Sequence, residues 1–196
     1  MVDFTNTKVA FNTKTNSELK RAYFLFKMIS NSHLVKIGTA LTNFALKTNL
    51  PIEGLIKSTV FDHFCGGISI IDCKPTISQM YKSNLYSVLD YSVEGKQTES
   101  QFDFATKKTL DLLDFAAVNK SIPFTVFKPT AVGCFEIYKK ISQSENLNND
   151  EFDKWNRIKD RFHSICKHAE KKNIPVLIDA EESWIQKAVD DLTEEL

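Results

Sequence analysis

The sequence predicts an α/β architecture in which short apolar strands alternate with long helices around a parallel sheet, entered through a helical N-terminal region. Three short apolar runs, "LYSVLDY", "IPFTVFK" and "IPVLID", read as strands. Each is followed by a stretch with helical periodicity, which is the pattern of βα units. Each run also delivers a charge at its C-terminal end: Asp90, Lys128 and Asp179. Aspartate is depleted in strand interiors, so an acid there marks a strand end, a cap or a site.

Taken in order, Asn16-Ser17 precedes "ELKRAYFLFKMI", where Leu19, Tyr23, Phe26 and Met28/Ile29 recur at roughly helical spacing, with Asn16 or Ser17 as N-cap. A second helix from about Leu34 to Lys47 places Leu34, Ile37, Leu41, Phe44 and Ala45 on one side. Pro51 opens a short third segment to about Phe64, stopped by Gly66-Gly67. Residues 1–70 thus form a helical flank, and 71–196 the βα units. The alternation starts with helix "PTISQMYKSN" and strand "LYSVLDY". Helix "ESQFDFATKKTLDLLDFAAVNK" follows, with Phe102, Ala105, Leu112, Leu113 and Ala116 on one face, interrupted by Thr109. After strand "IPFTVFK" come helix "AVGCFEIYKKIS" and a longer one, "NNDEFDKWNRIKDRFHSICKHAEKKN". The long helix has an acidic first turn and a lysine-rich end, as its dipole favours. Strand "IPVLID" then leads into helix "EESWIQKAVDDLTEEL".

The intervals between the three strand-end charges are long enough for complete crossovers. Ligands of parallel α/β folds bind at the carboxyl ends of strands, so Asp90, Lys128 and Asp179 point to one shared cleft. Three parallel strands alone leave a bare edge, and the chain stops within its last predicted helix. The expected fold is therefore a partial (β/α)8 TIM barrel, the front part of a larger one.

Composition bounds the function. The 196 residues are 42% hydrophobic and balance 25 basic against 25 acidic side chains, enough for one core or part of a larger domain. A formal charge of zero gives no footprint for nucleic acid and no pull toward an anionic membrane. Cys65, Cys73, Cys134 and Cys166 are scattered without a CxxC pair, as reduced thiols of a cytosol-like compartment are. No apolar h-region opens the chain, and "LVKIGTALTNFALKTNLPIEGLI" is too interrupted to span a bilayer. A cytoplasmic location is expected.

The candidate groups admit plain readings beside chemical ones. Asp90 and Glu94 read as acid/base groups, metal ligands or partners of a cationic substrate, or else as a turn cap and a solvated acid. Lys128 reads as an anchor for phosphate or carboxylate, or as the ion-pair partner of Asp90 or Asp179. Glu182 and Ser183 suit the first turn of a helix. Asp90, Asp179 and Glu181 together suit a hard cation such as magnesium. "FCGG" reads as a helix stop, His163 and His168 as surface residues, and Trp155 and Trp184 as packing anchors.

Four stretches, "FDHFCGGISIID", "SVLDYSVEGK", "FTVFKPTAVG" and "VLIDAEESWIQ", together resemble the proline dehydrogenase family, FAD-dependent (β/α)8-barrel enzymes of proline catabolism. The resemblance covers nearly all of this chain and about the first half of the family's length. It implies oxidation of L-proline to 1-pyrroline-5-carboxylate by hydride transfer to FAD, with a quinone taking the electrons and peripheral association at the inner membrane surface left open. It places Asp90 at the proline pocket and Tyr91, Lys128, Ala131, Ala180, Glu181 and Glu182 along the flavin. Lys57 falls near a position where the family often carries a substrate-side lysine.

The chain also departs from the family. Its "FCGGET" reads Gly66-Gly67-Ile68-Ser69 here, without the glutamate. Asp62 replaces an often basic or polar residue, and Leu177 stands where some members have a basic one. The family's paired substrate-carboxylate arginines lie beyond Leu196. The chain by itself is expected to bind neither proline nor FAD well, and to need a C-terminal half or partner chain. Two other readings stand beside this one: a magnesium-dependent barrel enzyme using the strand-end carboxylates, and a truncated, non-catalytic binding module.

Overall fold

The computed structural model describes residues 3–91 and 98–196. They divide into two compact units, Met1–Ser83 and Asn84–Leu196, each described here by itself.

The first unit is helical. It contains α1 (Thr7–Ala10), α2 (Asn16–Ile29), α3 (Ser32–Lys47), α4 (Glu53–Ile56), a π-helical turn (Lys57–Phe61), α5 (Asp62–Phe64) and α6 (Ile70–Tyr81). The cap of α2 is Thr15, just ahead of the expected Asn16 or Ser17: the Glu18 carboxylate accepts from the Thr15 N–H at 2.7 Å, and Glu18 N–H donates to Thr15 Oγ1 at 3.3 Å. α6 begins ahead of Pro75 rather than at it, because Ser69 and Asp72 form the same reciprocal box and place Pro75 inside the helix. The apolar stripe of α3 is present but is not a core. Leu34, Ile37, Leu41 and Phe44 are exposed, and among the described residues of this unit only Ala45 and Ile77 are buried. Periodicity orients an apolar face; burial needs a second surface, which this unit does not supply.

The second unit holds the core. Its order is α7 (Glu99–Ala117), β1 (Thr125–Phe127), α8 (Pro129–Val132), α9 (Phe135–Ser142), α10 (Asn149–Lys172), β2 (Val176–Ile178) and α11 (Gln186–Glu194). β1 and β2 pair in parallel, with Thr125 opposite Val176, Val126 opposite Leu177 and Phe127 opposite Ile178. α10 starts on an Asn148–Glu151 capping box. It ends on Asn173 in the left-handed conformation, φ 54°, where the N–H of Ile174 returns to Ala169 O at 3.1 Å. Between those caps it buries Trp155, Ile158, Phe162, Ile165 and Ala169. Phe162 meets Phe127 edge-on at 5.1 Å between ring centres, fastening helix to strand. α7 buries the face expected for it, and its two buried threonines return their hydroxyls to the helix: Thr106 to Phe102 O at 2.9 Å and Thr109 to Ala105 O at 3.1 Å.

Four expectations need correction. The run "LYSVLDY" has no regular secondary structure, so Val88 is not a member of the described sheet. Ser87 N–H does reach Ser121 O at 2.9 Å, but Pro123, just ahead of β1, has no N–H to continue a ladder. The helix expected over "AVGCFEIYKKIS" is two, α8 and α9, broken at an extended Gly133. A Cβ there would lie 2.6 Å from Ile158 Cγ1 and 2.7 Å from Tyr138 Oη, so close packing demands glycine. α11 begins at Gln186, leaving Glu182 and Ser183 ahead of its first turn. Trp155 is a packing anchor as expected, but Trp184 is 51% exposed.

Candidate active site at the strand ends

Because β1 and β2 are parallel, their carboxyl ends open on the same side, and alternation along each strand decides what faces where. Phe127 and Ile178 turn toward the helical core. Val126 and Leu177, paired across the sheet, lie on the opposite face, and Leu177 is exposed. Asp179 N–H continues the pairing by donating to Phe127 O at 3.0 Å.

Immediately past the strands the side chains pair in the same way. Lys128 Nζ donates to Asp179 Oδ2 at 2.6 Å. Two residues on, Thr130 donates twice to Glu181, from its backbone N–H at 2.9 Å and from Oγ1 at 2.7 Å. The two strand-end loops are therefore laced residue to residue. The Asp179 hydrogen bond holds the Lys128 ammonium above the usual lysine range, against the opposing effect of burial, and the charges of Asp90 and Glu181 add to the pull. Asp90 thus belongs to the same electrostatic cluster although its segment is not a strand.

The other expected residues are placed as follows. Asp90 is exposed, and Tyr91 is half-buried with its ring 6.3 Å from that of Phe104. Ala131 is buried in α8, its N–H donating to Lys128 O at 3.0 Å. Ala180 and Glu182 are exposed, Glu181 half-buried. Lys57 belongs to the first unit, where it opens the π-helical turn and is exposed. Glu94 lies outside the described residues. His163 is exposed, while His168 is half-buried, with Nε2 2.9 Å from Asp114 Oδ1. Among the described residues no group of three or more His, Cys, Asp and Glu converges as a metal set would.

Two residues that shape the site were not singled out from sequence. Tyr138, fully buried, donates its hydroxyl to Pro129 O at 2.9 Å and supports α8 from beneath. Burial pushes its phenol well above the usual tyrosine range, so it stays a neutral donor. Arg161 is buried as well, and its signal was available: it falls on the face of α10 that carries Trp155, Ile158, Phe162 and Ile165.

A family model described as proline dehydrogenase matches residues 73–196. The chain belongs to the proline dehydrogenase family. It is 33% identical over 169 residues to the carbapenem antibiotics biosynthesis protein CarD of Pectobacterium carotovorum subsp. carotovorum, covering 85% of this chain and 45% of that protein. It is 23% identical over 231 residues to the mitochondrial proline dehydrogenase 2 of Arabidopsis thaliana, covering 96% and 48%. The chain therefore spans about half the length of each of these two relatives. In fold it is similar to proline utilization A (PutA) from Bdellovibrio bacteriovorus, solved after inactivation by N-propargylglycine. The TM-score is 0.57 at 18% identity, over 73% of this chain and 16% of that one. As a class the fold is α/β, mostly helical, with a parallel strand pair joined through helices.

Proposed function

We propose that this chain contributes the front part of a (β/α)8 barrel that oxidises L-proline to 1-pyrroline-5-carboxylate with FAD. The observation that carries the reading is the pairing of Lys128 with Asp179 and of Thr130 with Glu181 at the strand ends, with the charge of Asp90 acting on Lys128, in a chain of this family. β1 and β2 are then neighbouring staves, and Val126 and Leu177 face the barrel interior.

The residues present suit a flavin. Val126 and Leu177 offer an apolar surface beside the polar edge made by Lys128 and Asp179, as a flat ring with a polar rim requires. Tyr91, Lys128, Ala131, Ala180, Glu181 and Glu182 would hold it, and FAD when bound supplies the two-electron acceptor. The protein's part is binding and orientation. The Lys128 ammonium feels three carboxylates, Asp179, Asp90 and Glu181, an acidic balance that favours the cationic nitrogen of proline. Asp90, exposed, accepts a hydrogen bond from that nitrogen, and the Thr130–Glu181 lacing keeps the floor rigid under it. A divalent cation on Asp179 would meet the Lys128 ammonium already 2.6 Å from that carboxylate, so the geometry favours flavin over magnesium.

The substrate-side role of Lys57, a quinone acceptor, a C-terminal half or partner chain and a catabolic setting belong to the same proposal. The similarity to an antibiotic-biosynthesis protein supports an alternative setting for the same chemistry. A cytoplasmic location, peripheral at the inner membrane surface, is consistent with four free cysteines. No helix among the described residues is long and apolar enough to cross a membrane.

The test is purification of the native full-length protein, its absorbance spectrum, and proline-dependent formation of 1-pyrroline-5-carboxylate. A flavin spectrum and turnover lost in Asp90→Ala are expected. A colourless protein inert toward proline with added FAD would remove the reading.

A further inference from the structure

Arg161 lies mid-way along α10 with its side chain 7% exposed. A guanidinium so placed is tolerated when its N–H groups are satisfied. Its Nε and Nη2 both donate to Asp103 Oδ1, at 2.9 and 2.7 Å. Nη2 also donates to Glu99 Oε2 at 2.5 Å, and Nη1 to the carbonyl of Val132 at 3.1 Å. The guanidinium carbon lies 5.5 Å from the ring centre of Phe102, which is itself fully buried.

These partners belong to two different helices, α7 and α8. Glu99 and Asp103 occupy the opening turns of α7, the next helix in the chain after Asp90 and Tyr91. Val132 closes α8, the short helix that follows Lys128 and carries Thr130 and Ala131. We infer that Arg161 is a positioning residue of the strand-end site: one guanidinium ties the start of α7 to the end of α8, and so sets the loop of Lys128, Thr130 and Ala131 against α7. It acts through Val132 and α7. A lysine reproduces the charge but not the planar fork that serves two carboxylates and a carbonyl together. The catalytic meaning of this tie rests on the function proposed above; the tie itself does not.

The experiment uses the native full-length protein with Arg161→Lys, Arg161→Met and the double variant Glu99→Gln with Asp103→Asn. Residue-resolved amide exchange is the first readout. The double variant, altered only on α7, is expected to speed exchange at Ala131 and Val132 by about tenfold while amides 158–169 stay as in the parent. Unchanged exchange at Ala131 and Val132 would overturn the coupling. Proline turnover is the second readout: Arg161→Lys lowers kcat by about tenfold or more, with KM within about twofold. Parent-like kcat and KM in Arg161→Lys despite loosened loops would overturn the positioning role. Should Arg161→Met fail to fold, the other two variants carry both readouts. The exchange measurement needs neither flavin nor proline, so a protein inert toward proline refutes the functional reading while the coupling is still decided.

Discussion

Lys128 at the end of β1 donates to Asp179 at the end of β2, residues 51 positions apart in the chain and 2.6 Å apart in space. The pair is partly exposed, so its contribution to stability is small, and its value lies in fixing a charge at the strand ends. Lys128→Met is expected to lower unfolding free energy by no more than about 1 kcal/mol, while, under the function proposed above, lowering kcat/KM for proline in the full-length protein by about tenfold or more. Parallel urea titration and steady-state kinetics separate the two effects.

The same pair has a pH signature. Its folded-state lysine is raised above the ordinary value of 10.5. A raised lysine contributes stability that is fully present below its unfolded value and is lost as pH rises through the folded one. The stability difference between parent and Lys128→Met should therefore be constant from neutral pH to about 10 and shrink above it. A difference that grew with alkalinity would contradict the pairing.

Thr130 holds Glu181 through both backbone and hydroxyl. Thr130→Val keeps the N–H bond and removes the other, and should cost about 1.5–3 kcal/mol, as for a hydrogen bond to a charged group. Thr130→Ser should recover most of it. Chemical denaturation of the three proteins gives the comparison.

Gly133 lies where a Cβ would press on Ile158 and Tyr138 Oη. Gly133→Ala is expected to destabilise by about 1–3 kcal/mol. Adding Ile158→Val should return part of that loss, a non-additivity that a double-mutant cycle measures.

The two units should answer truncation differently. Phe162, fully buried against Phe127 and Tyr138, should cost about 3–5 kcal/mol as Phe162→Ala. Ile37, 57% exposed on α3, should change stability by less than about 0.5 kcal/mol as Ile37→Ala. A large loss from Ile37→Ala would show that the α3 face is covered in the folded protein.

Local signals determined most of the elements. The helical faces of α7 and α10 and the strands around Phe127 and Ile178 follow from apolar spacing. Asp179 and Lys128 declare the strand ends, because a charge is costly inside a strand and natural at its mouth. The family motifs are local as well, so membership was legible before any coordinate. Tertiary structure decided what those signals leave free. It chose Asp179 as the partner of Lys128 and Thr130 as the holder of Glu181, gave Arg161 a buried place between α7 and α8, and left the α3 stripe uncovered. It also withheld a ladder from "LYSVLDY", since a strand exists only when a neighbour offers donors in register, and Pro123 offers none. Spacing sets which way a side chain points; what it meets there depends on segments far along the chain.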